Sequence, residues 1–199
     1  MKLLFKSFAI AFVLSVIFSM IPFSAQCKNV SDNVFRLHIL ANSDSESDQN
    51  LKLKVRDKVL EYTENLYKSA VDLQNAEQLT KESLQDIANV AQKEVLRNGY
   101  SYPVSAEVKK VHFNTRCYDN VTMPSGDYEA LRITIGEGKG HNWWCVMYPS
   151  LCVGAATNYE ELKNKTADDE YRIMTDGGYN IQFKVVEYFQ NIVNFFHSP

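Results

Sequence analysis

The sequence lacks an excess of basic residues. Its 199 residues include 21 Lys and Arg against 24 Asp and Glu, which gives a net charge of -3. A protein that binds nucleic acid needs a basic face to neutralise phosphates, so the composition argues against a nucleic-acid partner. The lack of an excess of basic residues argues against acidic substrates as well. The hydrophobic fraction of 45% and the charged fraction of 23% are those of a globular chain.

Motifs that hold metals, phosphates or nucleophiles are also scarce. The four cysteines include no C-x-x-C pair of the kind that marks a structural zinc site. A phosphate-binding loop needs a helix directly after its glycines, but a strand pattern follows Gly136 to Gly140. We interpret this segment as a flexible hairpin loop in which glycine supplies unusual backbone angles. No known nucleophile signature surrounds Cys145. We therefore predict no metal, no cofactor and no catalytic residues.

Long hydrophobic runs are limited to one, near the N-terminus. Lys2 and Lys6 precede an apolar run from Ser7 to Phe23, and small residues follow it at Ser24 and Ala25. This is the order of a secretory signal, and a run of about 17 residues is at the short limit for a spanning helix. We predict that residues 1–26 are a signal peptide or an N-terminal anchor, with cleavage favoured.

Export would permit disulfide bonds. We predict a bond between Cys145 and Cys152, because Pro149 between them favours a turn that brings the two together. The alternative is that Cys117, Cys145 and Cys152 all stay reduced and act as small buried hydrophobes. Cys27 lies at the processing junction, and Cys117 would have no disulfide partner.

Hydrophobic periodicity predicts an α+β fold with the order β-α-α-β-β-β, in which a mainly antiparallel sheet packs with a helix hairpin. A C-terminal helix is predicted in addition. The predicted elements are a strand at 34–41 with one solvent-exposed face, helices at 46–67 and 76–98, a strand at 104–113 with a bulge at Lys109-Lys110, and strands at 128–135 and 143–148. The last three strands are predicted to form an antiparallel meander with 143–148 in a central position. The predicted domains are one α+β domain at 34–153, a polar linker at 154–180 and an amphipathic helix at 181–196.

The two tryptophans of the chain, Trp143 and Trp144, are adjacent on a predicted strand. Because successive side chains of a strand point to opposite faces, we expect one ring in the core and the other on the surface. An exposed tryptophan beside Tyr128 or Arg132, which the alternation places outward, is typical of an interface anchor.

An enzymatic alternative remains open. Asp44, Glu46, Asp48 and Asp57 are close in sequence, as an acid and base pair of a cell-wall hydrolase would require. Helix capping and the helix dipole already account for the first three.

Several blocks of sequence resemble the stage II sporulation protein R family. The segment RLHILANSDS at 36–45 and the segment LKLKVRD at 51–57 resemble its opening signature. PSGDYEALR at 124–132 and GHNWWCV at 140–146 resemble its second half. The resemblance covers about 34–153.

The resemblance implies a signalling protein of endospore-forming bacteria rather than an enzyme. Such a protein is made in the forespore and secreted into the space between the forespore and mother-cell membranes. There it activates a membrane-embedded aspartic-type protease of the mother cell, which processes the pro-form of sigma factor E. Membrane association through the N-terminal segment or the C-terminal helix is a further possibility of the sequence. The residues that we expect to contact the protease are Trp143, Trp144, Tyr128, Arg132, Arg116, His38, Asn42 and Asp44.

Overall fold

A computed structural model describes residues 2–118, 120–149, 159–177 and 182–188. It is a mixed α+β structure, as the periodicity predicts. Its elements are α1 (Lys2–Asp32), β1 (Phe35–Leu40), α2 (Glu46–Tyr67), α3 (Leu73–Glu82), α4 (Leu84–Arg97), β2 (Val104–Phe113), β3 (Arg116–Tyr118), β4 (Val121–Met123), β5 (Gly126–Ile135), β6 (Asn142–Tyr148), α5 (Tyr159–Lys165) and α6 (Asp168–Thr175). The chain divides into a larger unit, made of Asn33–Val111 and Tyr128–Thr166, and a smaller unit, made of Met1–Asp32, His112–Asp127 and Ala167–Pro199.

Helix α2 begins where the capping residues predict. The hydroxyl of Ser45 accepts a hydrogen bond from the backbone N–H of Asp48 at 3.2 Å, so one of the free N–H groups of the first turn is satisfied. The apolar stripe through Leu51, Val55 and Val59 is buried against the core. This helix is confirmed by the structure.

The second predicted helix is divided into α3 and α4 at Ser83. The backbone N–H of Ser83 donates to the carbonyls of Leu79 and Thr80, which ends α3, and its own carbonyl accepts from Ile87, which begins α4. The apolar stripe continues across the break, since both Ala76 and Ile87 are buried. Periodicity alone could not reveal the interruption for that reason. The predicted stop at Gly99 is confirmed, because Gly99 has a φ of 83°.

The sheet of the larger unit has the strand order β2-β5-β1-β6. Strand β1 lies between β5 and β6, parallel to the first and antiparallel to the second. The predicted meander is therefore wrong, because β5 and β6 are not neighbours, and β6 is the last strand of this order. The predicted solvent-exposed face of β1 is also wrong, since every residue of β1 is buried. β1 is buried because it pairs with β5 and β6 on its two sides. A local pattern of polar and apolar residues cannot predict which distant strands a segment pairs with.

Helices α2, α3 and α4 share one hydrophobic core with one face of the sheet. Strand β1 contributes Phe35, Leu37 and Ile39 to it. From β5 come Leu131 and Ile133, and Ile135 follows in the same phase, as the alternation of this strand predicts. The opposite face of the sheet is consequently formed by the alternate residues of the same strands.

In the smaller unit, β3 and β4 form an antiparallel hairpin in which Arg116 pairs with Met123. Its apolar cluster includes Phe23 and Cys27 of α1, and the rings of Phe23 and Phe183 are 5.2 Å apart. Residues 182–188 are helical, in agreement with the predicted C-terminal helix, whose remaining residues lie outside the described part.

Parts of the segment predicted as a polar linker are helical. Helices α5 and α6 lie within it, and they bury Leu162, Ile173 and Met174. These scattered apolar residues are too few to produce a clear periodic pattern in a segment that is otherwise polar. In the part of the chain that the structure describes, no helix combines the length and the apolar character needed to cross a membrane.

Candidate functional site

Three of the predicted contact residues meet on the face of the sheet opposite the helices. His38 of β1 pairs with Arg132 of β5 on one side and with Trp144 of β6 on the other. The three side chains therefore form a row across three adjacent strands, which we call the Trp144–His38–Arg132 row. Sequence reasoning selected all three residues, but it did not predict that His38 lies between the other two.

His38 and Trp144 are stacked face to face. Their ring centroids are 4.0 Å apart and the planes differ by 5°. His38 is only 4% exposed, and burial, followed by the positive charge of Arg132, lowers its pKa to about 4, against the opposing effect of a hydrogen bond with Asn142. The imidazole is therefore neutral at neutral pH, and it provides a flat support for the half-buried indole.

Arg132 retains hydrogen-bonding capacity in this row. Its side chain is 28% exposed, and its Nη1 atom is 3.9 Å from a carboxylate oxygen of Glu107. That oxygen is closer to Lys109, at 2.9 Å. The Nε atom of Arg132 is buried and has no hydrogen-bond partner among the described residues. A guanidinium has five N–H donors, and Glu107 at 3.9 Å is too far away to accept a hydrogen bond from Nη1.

Trp143 occupies the other face, as expected for the next residue of a strand. It packs against the hydrophobic core of the larger unit, and the guanidinium of Arg56 lies 4.4 Å from its ring centroid. The contact is of the cation–π type. The two tryptophans thus have different surroundings, with Trp143 on the core side and Trp144 in the row.

Tyr128 is a correction to the predicted contact set. The alternation of β5 places it on the same face as Arg132, but the residue is fully buried. The guanidinium of Arg36 lies 4.8 Å from its ring centroid, and Ala130 and Val146 on this face are buried as well. Strand alternation identifies the face but does not indicate which end of that face is covered, so Tyr128 is part of the interior.

Asn42 and Asp44 fasten the loop between β5 and β6 to the loop after β1. The side-chain oxygen of Asn42 accepts from the N–H of Glu137 at 3.0 Å, and its amide donates to Asp48 at 2.9 Å. Asp44 accepts from the N–H of His141 at 2.5 Å and also contacts the His141 ring. These hydrogen bonds from His141 lower the pKa of Asp44. Both residues therefore have a structural role that explains their presence without a partner.

The glycine segment itself is not a hairpin loop, because it crosses the end of β1 to connect β5 with β6. The N–H of Gly140 donates to the carbonyl of Ala41 at 3.0 Å, and the N–H of Lys139 donates to Asn42. Gly136 and Gly138 have φ values of 59° and 64°, which confirms that glycine is needed for its backbone angles. We predicted a flexible loop, but these hydrogen bonds to Ala41 and Asn42 fix the segment in place.

Arg116 belongs to the smaller unit, where it is exposed on β3. It is not a member of the Trp144–His38–Arg132 row, whose residues all belong to the larger unit.

The cysteines have different environments. Cys145 is disulfide-bonded, while Cys152 lies outside the described residues, so the predicted pairing stays a prediction. Cys27 is a buried thiol whose pKa burial raises to about 12, which makes it a poor nucleophile. The Cys117 sulfur accepts a hydrogen bond from the Thr122 hydroxyl at 3.7 Å.

Ser125, His112 and Asp127 are connected in the same order as the Ser-His-Asp triad of a serine hydrolase. The sequence analysis did not predict this arrangement. The Ser125 hydroxyl lies 3.4 Å from His112 Nε2, and His112 Nδ1 lies 2.8 Å from Asp127. A catalytic serine must reach a carbonyl carbon of its substrate. Ser125 is only 2% exposed whereas Asp127 is exposed, which is the reverse of the burial that catalysis requires. The group is a hydrogen-bond chain at the junction of β4 and β5.

The geometry does not support the alternative in which two of these carboxylates form the acid and base pair of a cell-wall hydrolase. Asp57 forms an ion pair with Arg56 at 2.6 Å, while Asp44 is bound to His141. Each carboxylate thus has its own partner and its own place in the fold. Within the described ranges, no group of three or more His, Cys, Asp or Glu residues could hold a metal ion.

These features define an α+β protein in which a half-buried tryptophan, a buried histidine and a partly exposed arginine form a row on one face of a sheet. The chain belongs to the stage II sporulation protein R family, whose model matches residues 31–158. It is 35% identical over 147 residues to the stage II sporulation protein R of Bacillus subtilis (strain 168), and the match covers 74% of this chain and 66% of that relative. No solved structure matches the chain significantly.

Proposed function

We propose that this sporulation protein is an exported signal that activates a membrane-embedded aspartic-type protease of the mother cell. The protease then processes the pro-form of sigma factor E. Membership of the family supports a role in sporulation. The observation that carries the binding role is the half-buried Trp144, which is stacked on a neutral His38 beside Arg132.

The row has the properties of an interface anchor. Tryptophan and arginine are enriched among the residues that dominate binding energy. The stack on His38 already restricts the Trp144 ring, so less side-chain entropy is lost when a partner covers it. The row lies on the sheet, and a sheet is a more rigid support for binding residues than a loop.

Activation requires more than binding. An activator shifts a protease towards its active conformation only if it binds that conformation more tightly than the inactive one. We propose that the outward-facing part of the protease presents a complementary surface to the row only in its active arrangement. A difference in affinity of about 100-fold would correspond to about 2.7 kcal/mol.

The proposed site of action is the space between the forespore and mother-cell membranes. The apolar run near the N-terminus, preceded by Lys2 and Lys6, supports export. A secreted signal would reach the outward-facing part of a mother-cell membrane protein without crossing that second membrane.

Trp144→Ala is expected to weaken activation of the protease by about 30-fold, because an anchor residue contributes about 2 kcal/mol or more to binding. The measurement is reconstitution of the purified protease with the signal protein, in which cleavage of the sigma-factor precursor is followed over a range of signal concentrations. The wild-type chain must stimulate cleavage for the proposed function to stand.

Leu96→Ala is the matched control for this experiment. Leu96 is an exposed apolar residue on α4, within the larger unit but away from the row. It should leave activation unchanged. If a folded Trp144→Ala variant activates the protease as well as the wild type does, the proposed surface is wrong.

A further inference from the structure

The charge around the row is opposite to that of the whole protein. The chain carries a net charge of -3, yet two cations, Arg132 of β5 and Lys109 of β2, act on His38. Glu107 is the acidic group found beside Arg132 and Lys109. This one carboxylate is shared by two cations and lies closer to Lys109, so the row has a local excess of positive charge at Arg132. Such a local excess attracts an acidic group of a partner.

The geometry of Arg132 adds direction to this attraction. The distance of 3.9 Å from Nη1 to Glu107 is longer than a hydrogen bond. The Nε atom is buried and has no hydrogen-bond partner among the described residues. Burying a donor that remains unpaired costs free energy, so the Arg132 side chain is incompletely satisfied within the fold. Its exposed part can accept the planar, two-pronged contact that a carboxylate makes with a guanidinium.

The position of Trp144 defines a second requirement. Arg132 and Trp144 lie on either side of β1, so they are two strand spacings apart, or about 10 Å. His38 between them is neutral and flat, and it presents no competing charge. A partner that covers the row must therefore bring an acidic group to one end and an apolar group to the other.

We propose that the Trp144–His38–Arg132 row is a receptor for a carboxylate of the protease. An Asp or Glu side chain on the outward-facing part of the protease binds the guanidinium of Arg132 in a bidentate manner, and a large apolar side chain about 10 Å away packs on Trp144. This inference rests on the proposed function, and it specifies the chemistry of the partner surface.

The experiment compares Arg132→Gln and Arg132→Lys with the wild-type full chain, using the purified protease in lipid nanodiscs as the probe. Arg132→Gln removes the charge and is expected to weaken binding at least about tenfold, since hydrogen bonds to charged groups are the strong ones. Arg132→Lys keeps the charge but loses the fork, so its affinity should also fall, to an intermediate value. Arg97→Gln is the matched control, because it removes an exposed arginine at the end of α4.

Salt provides an independent readout. The affinity of the wild-type chain should decrease as NaCl is raised from roughly 50 to 500 mM, and Arg132→Gln should flatten this dependence. Binding by Arg132→Gln that equals that of the wild type, with the same salt dependence, would overturn the carboxylate receptor.

The outcomes separate this inference from the function on which it rests. If the wild-type chain stimulates precursor cleavage and Arg132→Gln stimulates it equally, the protein is an activator but the row is not a carboxylate receptor. If the wild-type chain neither binds the protease nor stimulates cleavage, the proposed function itself is wrong. A thermal unfolding midpoint for each variant confirms that a loss of binding is not a loss of folding, and Arg132→Lys remains informative if Arg132→Gln is unstable.

Discussion

Gly140→Ala is expected to lower the free energy of unfolding by about 3 kcal/mol, the upper end of the range for forced overpacking. A β-carbon at Gly140 would lie 2.5 Å from the carbonyl carbon of Ser43 and closer still to its oxygen. Both atoms belong to the backbone and cannot rotate away. The loop would have to move, which would break the hydrogen bond from Gly140 to Ala41 and displace the His141 carbonyl from the ammonium group of Lys52.

Chemical denaturation of the purified chain measures this effect, and the thermal midpoint should fall by about 6–12 °C for a protein of this size. Gly177→Ala is the matched control, because a β-carbon there has no neighbour within 4 Å and its φ lies outside the left-handed region that favours glycine. Its stability should change by less than about 0.5 kcal/mol. Equal stability of Gly140→Ala and the wild type would show that the loop contact with Ser43 is not tight.

Asp48→Ala is expected to destabilise the protein by about 3 kcal/mol at pH 7, because it removes two hydrogen bonds to a buried charge and leaves the half-buried donors of Asn42 and Ser43 without their acceptor. Asp48 is 4% exposed. One of its carboxylate oxygens accepts from the Asn42 amide at 2.9 Å and from the Ser43 hydroxyl at 2.6 Å. Asp48 therefore stabilises the loop after β1. Asn42 in this loop in turn binds the glycine segment through the N–H of Glu137.

The effect of Asp48→Ala should depend on pH in a defined direction. Burial alone would raise the pKa of Asp48, but hydrogen bonds from Ser43, Asn42, Tyr102 and Ser45 hold it below its usual value. A carboxyl group whose pKa is lower in the folded state stabilises the fold above its unfolded pKa, which is about 3.9. That contribution is lost as the pH falls through the folded pKa.

Unfolding measured between pH 7 and pH 2 tests this dependence. The difference in stability between the wild type and Asp48→Ala should be greatest near neutral pH and should shrink below about pH 4. Asp57→Ala is the control, since its ion pair with Arg56 is at the surface and such pairs contribute about 0–1 kcal/mol. A difference that stays constant down to pH 2 would show that the charge of Asp48 is not involved.

Much of the local structure could be predicted from the sequence. The cap at Ser45 and the stripe through Leu51 and Val55 define α2 because they depend on neighbours within four residues. The break at Ser83 was missed since the apolar stripe passes through it. The exposure of Tyr128 was predicted wrongly, because exposure depends on what the rest of the chain places over a strand.

The candidate site was predictable in its members but not in its arrangement. The sequence indicated Trp144, His38 and Arg132 separately, from residue type and strand alternation. It also indicated Asn42 and Asp44, which the structure engages in fastening a loop. Only contacts between residues about 100 positions apart could distinguish the two groups.

By itself, the sequence determined that Trp143 and Trp144 face opposite sides of a strand, because the side-chain period of a strand is two. The tertiary structure decided what each tryptophan contacts. Strand β1 lies between β5 and β6, so hydrogen-bond register brings His38 against Trp144 and beside Arg132. Backbone pairing between distant segments sets that register, and no pattern within a single segment contains it.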